Sequence, residues 1–249
     1  MPVRAVLFDV GDTLWHGAGA PPAEFFRNAA AERAATFLTE HDLAHPDPAS
    51  LARACWDALE TAMRTARSTD RLEPDYGVVG RDAARAIGLD LSVSQAADFL
   101  DAIYVSGAEG GKEAYPDARP TVEALRERGF KLGIVTNRAF GGNRFRRDLE
   151  EAGLDLGWDA ISVSVEVGYL KPHPAPFQHA LDLLAVRPGE AVMVGNSLLE
   201  DVGGAQSLGI RAAWKRSRPD AEGIVADFEF DDLKELLTWS LLSKECVHG

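Results

Sequence analysis

Short apolar runs of strand length occur near the start of the chain and again beyond residue 130. They are rich in Val, Ile and Ala, which is typical of strands buried on both faces. They cover residues 3–8, 131–136, 160–165, 191–195 and 210–214. Apolar residues at helical spacing fill the intervals, over 121–129, 144–153, 174–186 and 198–209. Strands that alternate with helices predict an α/β fold, a Rossmann-like three-layer α/β/α core around a parallel sheet.

The segment between the first two runs, residues 16–115, has a different pattern. Its Ala-rich stretches repeat apolar residues at helical spacing, and no strand pattern is evident in them. We therefore predict an inserted all-helical cap over 16–115, with 1–15 and 116–249 together forming the core. The Gly110-Gly111 pair and Pro116 mark the return of the chain to the core.

Charge and composition narrow the class of partner. The formal net charge of −13 and the pI of about 4.9 provide no basic surface for nucleic acids or anionic lipids. We expect a small-molecule substrate, no nucleic-acid partner and no membrane partner, and no feature indicates an oligomeric state. The first apolar run is too short for a signal peptide or a membrane span. The two cysteines, Cys55 and Cys246, fit no metal-binding spacing, and the sequence as a whole predicts a cytoplasmic protein.

Three polar residues lie at the carboxyl ends of predicted strands: Thr136 is the last residue of its run, and Asp9 and Asn196 directly follow theirs. Ligands of parallel α/β sheets bind beyond the carboxyl ends of the strands, so these side chains are candidates for one site. A carboxylate such as that of Asp9 can attack phosphorus or carbon and form a covalent intermediate. An isolated aspartate at a strand end more often caps a loop, so the surrounding segments decide between the two interpretations.

Four segments occur in the order expected for one known family. They are FDVGDTL (residues 8–14), VTNR (135–138), YLKPHP (169–174) and VGNSLLEDVGGAQSLGI (194–210). Together they resemble the haloacid dehalogenase superfamily, in its subgroup with a helical cap, along almost the whole chain. Motifs of this kind are specific for the fold and less specific for the reaction.

The resemblance implies a catalytic role for several residues. Asp9 would be the nucleophile, and Lys171 would neutralise charge on Asp9 and on the transferring group. Thr136 would donate its hydroxyl, and Asn137 its backbone N–H, to an oxygen of that group. Arg138 is a candidate contact for an anionic substrate, although an exposed arginine at a helix start fits the sequence equally well.

The resemblance also implies Mg²⁺ as the cofactor. The metal would be held by Asp9, the backbone carbonyl of Gly11, Asn196 and Asp201, a set of oxygen ligands that suits this cation. Glu200, beside Asp201, is a further acid in the same loop. The sequence leaves open which residues of this loop contact the metal.

Two positions depart from the pattern of the family's phosphatases. Gly11 stands where many of them have an aspartate that acts as general acid, and Asp12 does not replace it because its side chain points in another direction. Asn196 stands where an aspartate commonly binds the metal. General acid catalysis contributes about 10²–10⁴-fold, so we expect slow turnover or a substrate with a good leaving group, such as an acyl phosphate.

These observations leave three functions open. The first is a Mg²⁺-dependent phosphatase that acts on a small phosphorylated metabolite through an aspartyl-phosphate intermediate. The second is a 2-haloacid dehalogenase, in which an aspartate attacks carbon and no metal is needed, although Gly11 replaces the aromatic residue usual there. The third is a non-catalytic binding protein with the same fold, because both Gly11 and Asn196 are losses of acid.

Overall fold

The computed structural model describes residues 2–44, 47–217 and 219–243 of the chain. Contacts between Cα atoms divide the chain into two compact units. One unit contains Met1–Ala18 and Lys112–Gly249, and the other is Gly19–Gly111. The boundaries fall a few residues inside the 16–115 that the sequence predicts for the insertion. Cys55 is buried in the second unit, and Cys246 lies outside the described residues.

The first unit is built on parallel strands. Its strands are β1 (Ala5–Phe8), β2 (Trp15–His16), β3 (Glu113–Ala114), β4 (Lys131–Thr136), β5 (Ala160–Val163), β6 (Ala191–Gly195), β7 (Arg211–Lys215) and β8 (Phe228–Phe230). Six of them form one parallel sheet in the order β5-β4-β1-β6-β7-β8. The predicted parallel α/β core is confirmed, and β1 lies between β4 and β6.

The helical segments of this unit follow the strands. They are α5 (Ala118–Glu127), α6 (Gly142–Glu151), α7 (Ser164–Val167), α8 (Pro174–Leu184), α9 (Gly204–Ser207), the 3₁₀ turns Pro188–Glu190 and Leu233–Thr238, and a π-helical segment, Leu198–Gly203. Along β1, Val6 and Phe8 face one apolar cluster and Ala5 and Leu7 face the other. This alternation places a hydrophobic layer on each face of the sheet.

The second unit consists of four helices: α1 (Ala23–Glu40), α2 (Pro48–Ser68), α3 (Tyr76–Ala86) and α4 (Val93–Ala102). Polar caps start three of them. Asp75 accepts from the N–H of Val78 at 3.1 Å, and Ser92 and Gln95 form a capping box at the start of α4. None of the helices described in either unit is long and apolar enough to cross a membrane.

Three local predictions are corrected by the structure. His16 and Glu113, inside the segment predicted as all-helical, pair in the short antiparallel β2–β3 ribbon. The run 160–165 remains a strand only to Val163, after which α7 begins. The helix predicted over 198–209 starts as a π-helical segment, and β8 was not predicted. Strands of two or three residues carry too little periodicity to be recognised in a sequence.

Candidate active site

Asp9 lies at the carboxyl end of the central strand β1. Its N–H donates to the carbonyl of Val194 on β6 at 2.9 Å, which extends the sheet pairing to the first residue of the loop. Only 8% of the residue is exposed. The side chain therefore lies where ligands of parallel sheets bind, and its orientation is set by the sheet.

Lys171 joins two carboxylates from distant parts of the chain. Its ammonium donates to Oδ1 of Asp9 at 2.8 Å, to Oδ1 of Asp201 at 2.6 Å and to the carbonyl of Val135 at 2.9 Å. Burial opposes the charged ammonium, yet Asp201 and Asp9 outweigh it and raise the pKa of Lys171. Lys171 is therefore a charged cation that donates to three oxygens, two of which belong to the carboxyl groups of Asp9 and Asp201.

Asp201 approaches Lys171 from the π-helical segment. Its Oδ2 accepts from the N–H of Ser197 at 2.9 Å, so both carboxylate oxygens are bonded. Burial raises the pKa of Asp201 to about 7, an effect that Lys171 opposes and Asp9 reinforces. Gly195, the last residue of β6, lies directly against this carboxylate, and a Cβ there would overlap it. Gly195 is thus required by close approach.

Asn196 and Asp9 converge on the hydroxyl of Thr13. The Thr13 Oγ1 lies 3.4 Å from Oδ2 of Asp9 and 3.3 Å from Oδ1 of Asn196, and it can donate its proton to either oxygen. The carbonyl of Asn196 accepts from Nε1 of Trp214 on β7 at 2.9 Å. Thr13 was not among the predicted site residues, although it lies within the FDVGDTL segment.

Thr136 is the last residue of the neighbouring strand β4, and Asn137 follows it. Thr136 is buried at the carboxyl end of the strand. The side chain of Asn137 accepts from the N–H of Lys171 at 2.7 Å and donates to the carbonyl of Lys171 at 3.2 Å. It also donates to Glu200 at 3.1 Å. Asn137 therefore fixes the backbone of Lys171, a role that the sequence did not indicate.

Arg138 forms a buried ion pair with Asp148. Its guanidinium lies 2.5 Å from Oδ2 of Asp148, a residue of α6 that is 1% exposed. The guanidinium carbon also lies 4.7 Å from the ring centroid of Phe145 and 5.4 Å from that of Trp15. Arginine stacks well on aromatic faces, so this side chain is held by packing as well as by charge.

The loop after Asp9 has an exposed turn. A Cβ built at Gly11 would meet no atom within 4 Å, so the position has room for a side chain. Asp12 is exposed and adopts a φ of 54°, a left-handed conformation that aspartate tolerates. Position 11 therefore provides no side-chain acid beside Asp9.

Ser197 is another residue that the sequence analysis missed. Its hydroxyl accepts from the N–H of Glu200 at 2.8 Å, while its own N–H donates to Asp201. The pattern Ser197-x-x-Glu200 is typical of a helix start and was available in the sequence as a signal.

The oxygen atoms around Asp9 are suited in kind to a hard cation. The described residues contain no cluster of three or more His, Cys, Asp or Glu side chains that could hold a metal ion. The amide oxygen of Asn196 adds a neutral ligand to the carboxylates around Asp9. It lies close to Asp9, because both residues contact the Thr13 hydroxyl. Carboxylate, amide and backbone carbonyl oxygens are all ligands of Mg²⁺, so the set fits the cation with one charge fewer than an aspartate at position 196 would give.

A known protein family and several known proteins resemble this chain in sequence. A family model described as haloacid dehalogenase-like hydrolase matches residues 3–209. Pyrophosphatase PpaX of Bacillus cereus (strain AH820) is 36% identical over 129 residues, which cover 50% of this chain and 58% of that relative. PpaX of Bacillus thuringiensis (strain Al Hakam) matches equally well. The chain therefore matches little more than half the length of these curated relatives.

Solved structures are similar over nearly the whole chain. A HAD phosphatase from Thermococcus onnurineus is 28% identical and has a TM-score of 0.58, with 98% of this chain and all of that chain covered. A 2-haloacid dehalogenase from Pseudomonas syringae pv. Tomato DC3000 has a TM-score of 0.66 at 24% identity, with 97% and 98% of the two chains covered. The second likeness shows the fold alone.

Proposed function

The chain belongs to the haloacid dehalogenase-like hydrolases, and we propose that within this family it is a Mg²⁺-dependent phosphatase acting on a small phosphorylated metabolite. The observation that carries the proposal is the Lys171 ammonium, 2.8 Å from the strand-end carboxylate of Asp9 and buried with it. A fixed cation beside a nucleophilic carboxylate suits attack on an anionic group, because it offsets the repulsion between the two. The likeness to proteins named pyrophosphatase supports phosphoryl transfer.

The reaction proceeds in two displacements at phosphorus. In the first, Oδ2 of Asp9, the oxygen that Lys171 leaves free, forms a bond to phosphorus while the bond to the leaving oxygen breaks. In the second, water attacks the aspartyl phosphate, releases inorganic phosphate and restores Asp9. Thr136 and the backbone N–H of Asn137 hold the phosphoryl oxygens. In the free protein Asp201 and Asp9 raise the pKa of Lys171, so its positive charge is in place before the phosphoryl group binds.

Magnesium would be held by Asp9, the carbonyl of Gly11, Asn196 and Asp201. Bound there, it would supply positive charge beside the transferring phosphoryl group. Lys171 already donates to one oxygen of Asp9 and one of Asp201, and Asn196 is neutral. The site therefore presents little negative charge to a divalent ion. We therefore expect a lower affinity for Mg²⁺ than a site with a third carboxylate would show.

The absence of a side chain at Gly11 favours a particular class of substrate. An alkoxide leaving group needs a proton as it departs, whereas a carboxylate or a phosphate is stable as the anion. With no side-chain acid at position 11, the leaving group must depart unprotonated. Acyl phosphates and phosphoanhydrides are substrates of this kind, and pyrophosphate, from which the curated relatives take their name, belongs to the second group.

The test is phosphate release from acetyl phosphate, pyrophosphate and glycerol phosphate, with and without Mg²⁺. We expect Mg²⁺-dependent release from the first two, and none from Asp9→Asn. Asp12→Asn is the matched control, since it makes the same chemical change in an exposed residue of the same loop. Equal release by Asp9→Asn and the wild type would refute the proposal.

A second candidate function is tested with the same protein samples. The lack of acids at Gly11 and Asn196 also suits a 2-haloacid dehalogenase, in which Asp9 would attack carbon and displace halide. Halide release from 2-chloropropionate that is independent of Mg²⁺ would favour this function. Release of neither product would leave the non-catalytic binding protein.

A further inference from the structure

The last two residues of β7 are bonded to two different loops of the active site. Trp214 donates its indole N–H to the carbonyl of Asn196 at 2.9 Å. Lys215 donates its ammonium to the carbonyl of Thr13 at 3.2 Å. Neighbouring residues of a strand point to opposite faces of the sheet, so one strand end reaches the loop of Asp9 and the loop of Asn196.

Lys215 is an unusual residue for this position. It is only 7% exposed, and its nitrogen lies 2.9 Å from the ring centroid of Tyr115. Among the described residues, no carboxylate forms an ion pair with it. Burial of a charge without an ion-pair partner is costly, so the fold retains this ammonium at the expense of stability.

Both contacts of Lys215 lead to the same segment of chain. Thr13 belongs to the loop that follows Asp9, and the N–H of Tyr115 donates to the carbonyl of Leu14 in that loop at 2.9 Å. The Thr13 hydroxyl in turn reaches the carboxylate of Asp9 and the amide oxygen of Asn196. Displacement of the Thr13 backbone would therefore move the hydroxyl that contacts both Asp9 and Asn196.

We propose that Lys215 is a positioning residue that holds the Thr13 backbone, and through it sets the alignment of Asp9 with Asn196. The proposal rests on the function proposed above, because its kinetic consequence is the placement of the nucleophile. A hydrogen bond from a charged donor is about twice as strong as a neutral one, which suits a lysine to this task. No contact of Lys215 with the substrate is involved.

The protonation of Lys215 gives the proposal a pH dependence. Burial lowers the pKa of Lys215 to about 8, although Asp117, Asp12 and Asp232 favour the charged form at longer range. The Tyr115 phenol also faces this group, and burial raises its pKa. Above pH 8 the bond to Thr13 becomes a neutral one and weakens. Turnover should therefore fall on the alkaline side.

The test compares Lys215→Met with Lys215→Arg. Arginine keeps its charge at all accessible pH values, so Lys215→Arg should retain part of the activity and lose the alkaline decline. Lys215→Met should lower kcat by at least about tenfold with little change in KM, as expected for a displaced catalytic group. The matched control is Lys131→Met, because Lys131 donates to the carbonyl of Leu184 at 2.6 Å, at the amino end of β4.

Amide hydrogen exchange of residues 10–15 provides a readout that needs no turnover. We expect faster exchange in Lys215→Met than in the wild type and in Lys131→Met. Unchanged kcat and unchanged exchange in Lys215→Met would overturn the positioning role, while loss of activity in Asp9→Asn would still support the phosphatase. If the wild type releases no phosphate, the proposed function fails, and the exchange rates alone decide on Lys215.

Discussion

Gly195 and Asp201 are in direct contact, and the contact leaves no room for a side chain at position 195. We predict that Gly195→Ala displaces the Asp201 carboxylate from Lys171 and lowers the free energy of unfolding by about 1–3 kcal/mol, the usual cost of overpacking. Denaturant unfolding measures this loss. Gly17→Ala is the control, since a Cβ at Gly17 meets no atom within 4 Å. Equal stability of both variants would contradict the steric argument.

The sequence was sufficient for the parts of the fold that carry a strong local pattern. The runs 131–136 and 191–195 match β4 and β6 residue for residue, because each is a continuous apolar run with a clear end. The ribbon of β2 and β3 was missed because two residues cannot show a period. The π-helical start of the segment after Asn196 was missed because its composition is that of an ordinary helix.

The site was predictable only where the motifs name a residue. Asp9 and Lys171, 162 residues apart in the chain, were predicted to meet, and the structure brings them together. The bond of Asn137 to Lys171 and the pairing of Arg138 with Asp148 depend on side-chain directions that a sequence does not show. Lys215 lies one residue beyond the predicted strand 210–214. The sequence around it does not distinguish it from a surface lysine, and only the fold shows that it is buried.

Gly11→Asp should broaden the range of leaving groups. The position is open, so the new carboxyl can be accommodated beside Asp9 and can protonate an alkoxide as it departs. We expect hydrolysis of glycerol phosphate to rise by about 10²-fold, the lower end of the 10²–10⁴-fold range of general acid catalysis. Hydrolysis of acetyl phosphate should change little. Gly11→Asn, which has the same shape and no acidic proton, should leave both rates at their wild-type values. An equal gain with glycerol phosphate in Gly11→Asn would contradict the role of the acid.

Asn196→Asp should strengthen the binding of Mg²⁺. The substitution adds a negative charge to an oxygen that already converges with Asp9 on the Thr13 hydroxyl. Ligand charge is a main determinant of affinity for hard cations, so we expect the dissociation constant to fall roughly tenfold. Isothermal titration with MgCl₂ measures it without substrate. Asn143→Asp is the control, since it makes the same change at an exposed position of α6. An unchanged dissociation constant in Asn196→Asp would exclude position 196 as a ligand.

Arg138→Met should destabilise the core through Asp148. This variant breaks a buried ion pair, since the Asp148 carboxylate is 1% exposed, and loss of one partner of such a pair costs about 3–5 kcal/mol in the free energy of unfolding. The double variant with Asp148→Leu should recover most of that loss. Urea unfolding of the two variants tests the pair. If Arg138 also binds the substrate, KM will remain raised in the double variant after stability has recovered.

The stability cost of Lys215 should depend on pH in a defined direction. Burial lowers the pKa of Lys215 to about 8 in the folded chain, whereas an unfolded lysine titrates near 10.4. Below pH 8 Lys215 is protonated in both the folded and the unfolded chain, so the full destabilisation from its buried charge is present. Between about pH 8 and 10.4 the unfolded state binds more protons, so the contribution of Lys215 to stability rises with pH.

Lys215→Met removes this titration, so the stability of the variant relative to the wild type should be greatest below pH 8 and should decline toward pH 10. Between pH 7 and pH 9.5 the change should be on the order of 2 kcal/mol, as follows from the two pKa values. Urea unfolding at pH 7 and pH 9.5 measures it, with Lys131→Met as the reference. A difference between Lys215→Met and the wild type that stays constant with pH would show that Lys215 titrates normally in the folded protein. In that case the alkaline decline of activity could not be assigned to this residue.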